Sequence, residues 1–156
     1  MAPSDDRDET PDEKLDRNWD ELLQELRVTQ TGIQLLSGFL LTLPFTQLFP
    51  GLDHAQKALY LALVATAGIA IGLNLTPIML HRRVFGDHVK ERVVEVGHVL
   101  SQVVIVAIAL MVDGAATLIF SVVVDWTAGL IVAVALAVVL GVLLGVVPRR
   151  LEPRDG

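Results

Sequence analysis

The chain has 156 residues, of which 53% are hydrophobic and 19% are charged, and its mean hydropathy is +0.57. That balance is not typical of a water-soluble domain and favours a membrane protein. The absence of cysteine excludes disulfides, thiolate metal sites and cysteine nucleophiles. The net charge of -6 comes from residues 1–26, which hold ten acids and three bases. The remaining residues are nearly neutral and offer no basic face, so no nucleic-acid partner is expected.

The first residues are too polar to form a core. Residues 1–17 are rich in acid and contain two prolines, so we predict a disordered acidic tail. From residue 18 to residue 27 apolar side chains recur at helical spacing, which predicts an amphipathic helical start with Asn18 as its N-cap.

Long uncharged or nearly uncharged stretches follow, each close to the roughly 20 residues that cross a bilayer. We predict an all-α integral membrane four-helix bundle, built from two helical hairpins within residues 18–149. The expected spans are 28–49, with a bend at Pro44, then 58–80, ending near Pro77, then 96–120 and 127–147. Residues 150–156 are predicted to be a polar C-terminal tail.

The distribution of bases predicts the orientation. Eleven of the twelve Lys and Arg residues lie on one side of the predicted membrane, and Lys57 alone lies on the other. Because basic segments stay in the cytoplasm, we predict a multi-pass membrane protein with both termini cytoplasmic. Tyr60 and Trp126 are then expected in the outer aromatic belt.

Three amides lie seven residues inside the predicted cytoplasmic ends of helices 1, 2 and 3. These are Gln34, Asn74 and Gln102, which we expect at one depth, about 10 Å into the membrane. Two interpretations remain open. The amides form interhelical hydrogen bonds, or they line a water-filled cavity open to the cytoplasm.

Helix 3 carries an acid among apolar residues. His98, Gln102 and Asp113 share one side of this helix, a pattern that suits a proton or ion pathway. Depth counts from the two ends of the helix disagree, so a bend or break is expected at Gly114. Asp113 is therefore either a titrating group inside the membrane or a residue at an interface or helix end.

Small residues recur on helices 2 and 4. Helix 2 contains Gly68 and Gly72, and helix 4 has a small residue at every fourth position. Small residues let helices approach closely, either within one chain or between copies. The helix 4 set is Gly129, Ala133, Ala137, Gly141 and Gly145.

No phosphate-binding loop, nucleophile elbow or metal-binding His pair occurs in the chain. We therefore expect no enzymatic activity, no cofactor and no metal site.

The run NWDELLQELRVTQTGIQLLSGFLLTLPF, residues 18–45, resembles the opening of a family of small four-span bacterial membrane proteins of unknown function, mainly actinobacterial. Its most specific part is ELRVTQTGIQLL, and the later spans with their RR-containing loop are similar too. Members are sometimes labelled sodium:proton antiporter, and the resemblance implies no established catalytic residue.

Two functional hypotheses follow. The first is a membrane protein that acts through helix packing with itself or a membrane partner, with the lipid bilayer as its surroundings. The second is a proton-linked cation or solute transporter that uses Asp113 together with Gln34, Asn74 and Gln102.

Overall fold

In the computed structural model the chain is described over residues 11–83 and 90–147, and within these ranges it is helical, with no strand. The predicted all-α class is therefore confirmed. Residues 1–10 of the predicted acidic tail and the predicted C-terminal tail, 150–156, lie outside the described residues. The helices are α1 (Pro11–Thr42), α2 (His54–Arg83), α3 (Lys90–Val123) and α4 (Trp126–Gly141), which continues as a π-helical turn, Val142–Val146.

Helix α1 begins seven residues before the expected start at Asn18. Proline is well accommodated in a first helical turn, where its missing N–H removes no hydrogen bond, and the following acids suit the positive end of the helix dipole. The helix ends at Thr42, before Pro44, and two short 3₁₀ turns, Leu43–Phe45 and Phe49–Gly51, lead to α2. The predicted first span, 28–49, is thus not one continuous α-helix.

Helix α2 begins with a reciprocal cap. Gln56 N–H donates to Asp53 Oδ1 at 2.8 Å, and Asp53 N–H donates to Gln56 Oε1 at 3.0 Å. Pro77 was expected near the end of this helix, but α2 continues through it to Arg83. Pro77 is fully buried, and packing against neighbouring helices is what allows a proline inside a membrane helix.

Helix α3 is the centre of the bundle. Among the described elements, α1, α2 and α3 all contact one another, whereas α4 contacts no other α-helix than α3. The residues of α3 that are buried toward α1 and α2 include Ser101, Val104 and Met111, and the residues that meet α4 include Thr117 and Ser121. Thr117 and Ser121 lie on the side of α3 opposite its contacts with α1, so α4 is attached there, next to the contact that Gln56 of α2 makes with Ser121.

Three glycines allow the close contacts with α3. Leu22 of α1 packs directly over Gly97, and a Cβ on Gly114 would lie 2.5 Å from Leu63 Cδ2 of α2. On α4, a Cβ on Gly129 would lie 2.9 Å from the backbone oxygen of Thr117. A larger side chain at Gly97 or Gly114 would displace a leucine side chain, whereas a larger side chain at Gly129 would meet the backbone of α3 and force α4 away from it.

The end of the bundle formed by the α1–α2 and α3–α4 connections is held by polar contacts. Gln56 Nε2 donates to the backbone oxygen of Ser121 at 3.2 Å, and Trp126 Nε1 donates to Asp53 Oδ2 at 2.8 Å. The pKa of the Asp53 carboxyl is lowered mainly by the hydrogen bond from the backbone N–H of Gln56 and, to a smaller extent, by the hydrogen bond from the Trp126 indole. Tyr60 is buried against Phe49, with ring centroids 5.0 Å apart, rather than placed in an outer aromatic belt.

Three of the described helices are long and apolar enough to cross a membrane, over His54–Pro77, Val96–Val123 and Trp126–Val146. Helix α1 is not among them, because its second half carries Gln30, Gln34 and Ser37 as well as apolar residues. The number of passes stays a prediction.

Two matched glycine substitutions on α4 test the packing against α3. Gly129→Ala places a methyl group against the backbone of Thr117, which cannot rotate away. We expect it to lower stability by about 1–3 kcal/mol. In Gly141→Ala the same methyl group enters open space, so stability should stay equal or rise. The measurement is the thermal midpoint of both variants in one detergent, and an equal midpoint would contradict the described α3–α4 contact.

Candidate functional site

Asp113 is the one Asp, Glu, Lys or Arg residue inside the spans 96–123 and 126–146. Its side chain is half-buried, on the side of α3 that faces α4. Its Oδ1 is buried, and no hydrogen-bond partner for it occurs among the described residues. A carboxylate oxygen without a partner is costly in an apolar environment, so Asp113 is the strongest candidate for a functional group.

A hydrogen bond between α1 and α3 gives the depth of Asp113. Ser101 Oγ donates to Glu25 Oε2 at 3.3 Å, so these two residues lie at the same level of the bundle. Glu25 is exposed and belongs to the charged part of α1, so in a bilayer this level lies at the edge of the hydrocarbon. Along α3, Asp113 lies about 18 Å from Ser101 and about 15 Å from Val123, near the middle of the apolar segment Val96–Val123.

No break occurs at Gly114, because α3 is one continuous helix from Lys90 to Val123. Helix α3 has 34 residues and is longer than the bilayer is thick. Depths counted from its two ends therefore disagree. Glu95 lies before Ser101 and is therefore outside the hydrocarbon, so it is not a valid reference for depth. Both alternatives for Asp113 stay predictions.

A cleft of about 350 Å³ lies between α3 and α4 beside Asp113. Helix α3 contributes Val106, Ala109, Leu110 and Asp113 to its lining. Helix α4 and its π-helical turn contribute Ala137, Leu140, Gly141, Leu144 and Gly145. Asp113 is thus the one titratable group in an otherwise apolar cleft.

The small residues of α4 do not form one contact surface. Every fourth residue of an α-helix advances by about 400°, so the set turns by about 160° between Gly129 and Gly145. Gly129 is buried against α3, whereas a Cβ on Gly141 or Gly145 would meet nothing within 4 Å. Gly129, at the start of the set, packs against α3 of the same chain. The small residues from Ala137 onward line the cleft.

The amides Gln34, Asn74 and Gln102 do not form one polar layer. Asn74 is buried, whereas Gln34 and Gln102 are exposed. Gln34 and Asn74 both line a cavity of about 140 Å³ between α1 and α2, which Gln102 does not reach. Gln102 and His98 are exposed on the side of α3 that carries Asp113, beyond the lining of the cleft.

Asn74 has a structural role that the residue pattern did not predict in detail. Its Nδ2 donates to the backbone oxygen of Leu26 at 3.2 Å and to Thr29 Oγ1 at 2.9 Å. Its Oδ1 is buried and has no partner among the described residues. Asn74 therefore joins α2 to α1, as the hydrogen-bond interpretation predicted, but with Thr29 rather than Gln34 or Gln102 as the side-chain partner.

The residue pattern did not predict the interhelical hydrogen bonds of Glu25, Thr29 and Ser101. A signal for Ser101 existed, because it falls on the same helical stripe as Gly97 and Val104, which are buried. Among the described residues there is no group of three His, Asp or Glu side chains that could hold a metal ion.

The fold and the cleft define a class of protein: an all-α helical bundle with helices suited to crossing a membrane. Within that class, the model of a family of unknown function, DUF6328, matches residues 8–148, and the chain belongs to that family. No curated protein and no solved structure matches the chain.

Removing the Asn74 amide should destabilise the bundle. We expect Asn74→Ala to lower stability by about 1–2 kcal/mol, because two interhelical hydrogen bonds are lost. The matched variant Gln34→Ala shortens an exposed side chain on the same cavity and should leave the thermal midpoint in detergent almost unchanged. A larger loss for Gln34→Ala than for Asn74→Ala would contradict the structural role of Asn74.

Proposed function

We propose that this protein works inside a membrane, without catalysing a reaction, by associating with a second copy of itself through α2. The observation that carries the proposal is the position of Gly68 and Gly72. Both are exposed, and a Cβ on either would meet nothing within 4 Å. Two glycines four residues apart on an exposed face leave room for the backbone of another membrane helix.

Other small residues are less suited to this role. Gly97, Gly114 and Gly129 already contact side chains or backbone of the same chain. Gly141 and Gly145 line the cleft beside Asp113. The α2 face around Gly68 and Gly72 also carries the exposed Ile69, whose apolar surface suits lipid or another helix equally.

Because the chain has no cysteine, a single introduced cysteine can report association. We expect Ala65→Cys, an exposed position one turn from Gly68, to form a disulfide-linked dimer in membranes on mild oxidation. Adding Gly72→Leu should abolish that dimer, since the larger side chain separates the helices. Adding Gly141→Leu is the matched control and should leave it intact. Loss of the dimer with Gly141→Leu but not with Gly72→Leu would place the contact on α4.

We further propose four spans in a bacterial inner membrane with both termini in the cytoplasm. The uneven distribution of Lys and Arg supports this orientation. In intact cells, a membrane-impermeant maleimide should label Thr46→Cys, in the α1–α2 connection, and leave Glu21→Cys unlabelled until the cells are opened. If only Glu21→Cys were labelled in intact cells, the orientation would be the opposite of the one proposed.

A second candidate is proton-linked transport of a cation or another solute through Asp113. It is favoured by one observation: the Oδ1 of Asp113 is buried beside the α3–α4 cleft and has no hydrogen-bond partner in the part of the chain that the structure describes. A carboxylate near the midplane can hold either a proton or a cation, which is the exchange that coupled transport needs. The cleft residues from α3 and α4 include no second titratable group, so Asp113 would carry the exchange alone.

The transport candidate predicts that the native protein in proteoliposomes dissipates a pH gradient when a transported cation is added. Asp113→Asn should abolish this flux while the protein stays helical and inserted. Asp125→Asn is a matched control, because Asp125 caps α4 through Ala128 N–H at 2.8 Å and asparagine caps equally well. Equal flux from native protein and Asp113→Asn would exclude this candidate.

A further inference from the structure

We infer that the α3–α4 cleft binds an amphiphilic organic cation, whose ammonium group lies at Asp113 and whose apolar part lies between the two helices. This inference deepens the transport candidate by naming its substrate class. It does not depend on association through α2, because Gly68 and Gly72 are not part of the cleft.

The first step of the argument concerns the charge. Asp113 has a buried oxygen without a partner among the described residues, and every other residue that lines the cleft is apolar. A carboxylate in such surroundings is stabilised by a positively charged hydrogen-bond donor. The cleft thus offers one site for a cationic donor and apolar surface for the rest of the ligand.

The second step distinguishes an organic cation from an inorganic one. A dehydrated metal cation needs several oxygen ligands around it, and the cleft supplies the oxygens of one carboxylate. An alkylammonium ion has one to three N–H donors, which the carboxylate oxygens can accept, and its apolar part can lie against the apolar lining of the cleft. The donor set therefore fits an organic amine better than a bare metal ion.

The third step concerns shape and access. The cleft volume of about 350 Å³ lies within the range of small-molecule pockets. Val106, Leu110 and Leu144 on its rim are exposed on the outer surface of the bundle. Since α4 contacts α3 alone among the described α-helices, the cleft opens sideways, and an amphiphile dissolved in the bilayer can enter it without crossing water.

Photoaffinity labelling of the full chain tests the inference. The protein is placed in nanodiscs of zwitterionic lipid, and the probe is an alkylammonium ion that carries a diazirine on its chain. We expect the label on residues 106–113 and 137–145. Decylammonium should compete with the probe, and decanol, its neutral counterpart, should not.

Variants separate charge from space. Asp113→Asn should reduce labelling by about 10- to 100-fold, the range expected for a hydrogen bond to a charged group, and Asp113→Glu should retain much of it. Gly141→Leu fills the cleft and should reduce labelling with Asp113 present. Gly68→Leu makes the same change on α2 and should have no effect.

Several results would overturn the inference. Equal labelling of native protein and Asp113→Asn, or equal competition by decanol, would identify a nonspecific apolar groove. The competition between decylammonium and decanol is measured on the native protein, so it tests the inference even if Asp113→Asn does not fold. Labelling that depends on Asp113, without flux, would support the binding site and exclude transport. Asp113-dependent flux of inorganic cations, without labelling, would support transport and exclude this substrate class.

Discussion

The bundle depends on the close contacts that three glycines allow against α3. Between helices in lipid there is little hydrophobic driving force, because lipid tails are as apolar as leucine. Van der Waals contact must then hold the helices together, and it is strongest where one backbone approaches another. Each helix that packs on α3 has one such close contact: the side chain of Leu22 lies over Gly97, the side chain of Leu63 lies over Gly114, and Gly129 lies against the backbone of Thr117.

The last of these contacts also determines where the candidate site lies. Helix α4 is close to α3 at Gly129, and farther along, Gly141 and Gly145 leave open space beside α3. Asp113 lies on α3 beside that space, near the middle of the apolar segment Val96–Val123. The close contact at Gly129 and the cleft at Gly141 and Gly145 are thus two consequences of how α4 packs along α3.

Part of the candidate site could be predicted from the sequence. Asp113 is conspicuous because a charge is rare among apolar residues, and Asn74 is conspicuous for a similar reason. The grouping of polar residues was less predictable. Equal distance from a charged boundary suggested that Gln34, Asn74 and Gln102 meet, yet Asn74 bonds Thr29 and Gln102 is exposed. Distance along an axis gives depth but not direction around the helix.

The sequence alone determined that α2, α3 and α4 are long and apolar enough to cross a membrane, because length and hydropathy are properties of each segment separately. The tertiary structure alone decided which face of each helix is buried. On α2 the buried residues Tyr60, Leu63, Ala67 and Ala70 alternate in steps of three and four, but exposed positions such as Leu61 and Ile69 are equally apolar. In water a polar outer face would reveal this pattern, whereas lipid and the bundle core favour the same side chains, so the pattern is visible only once the helices are packed.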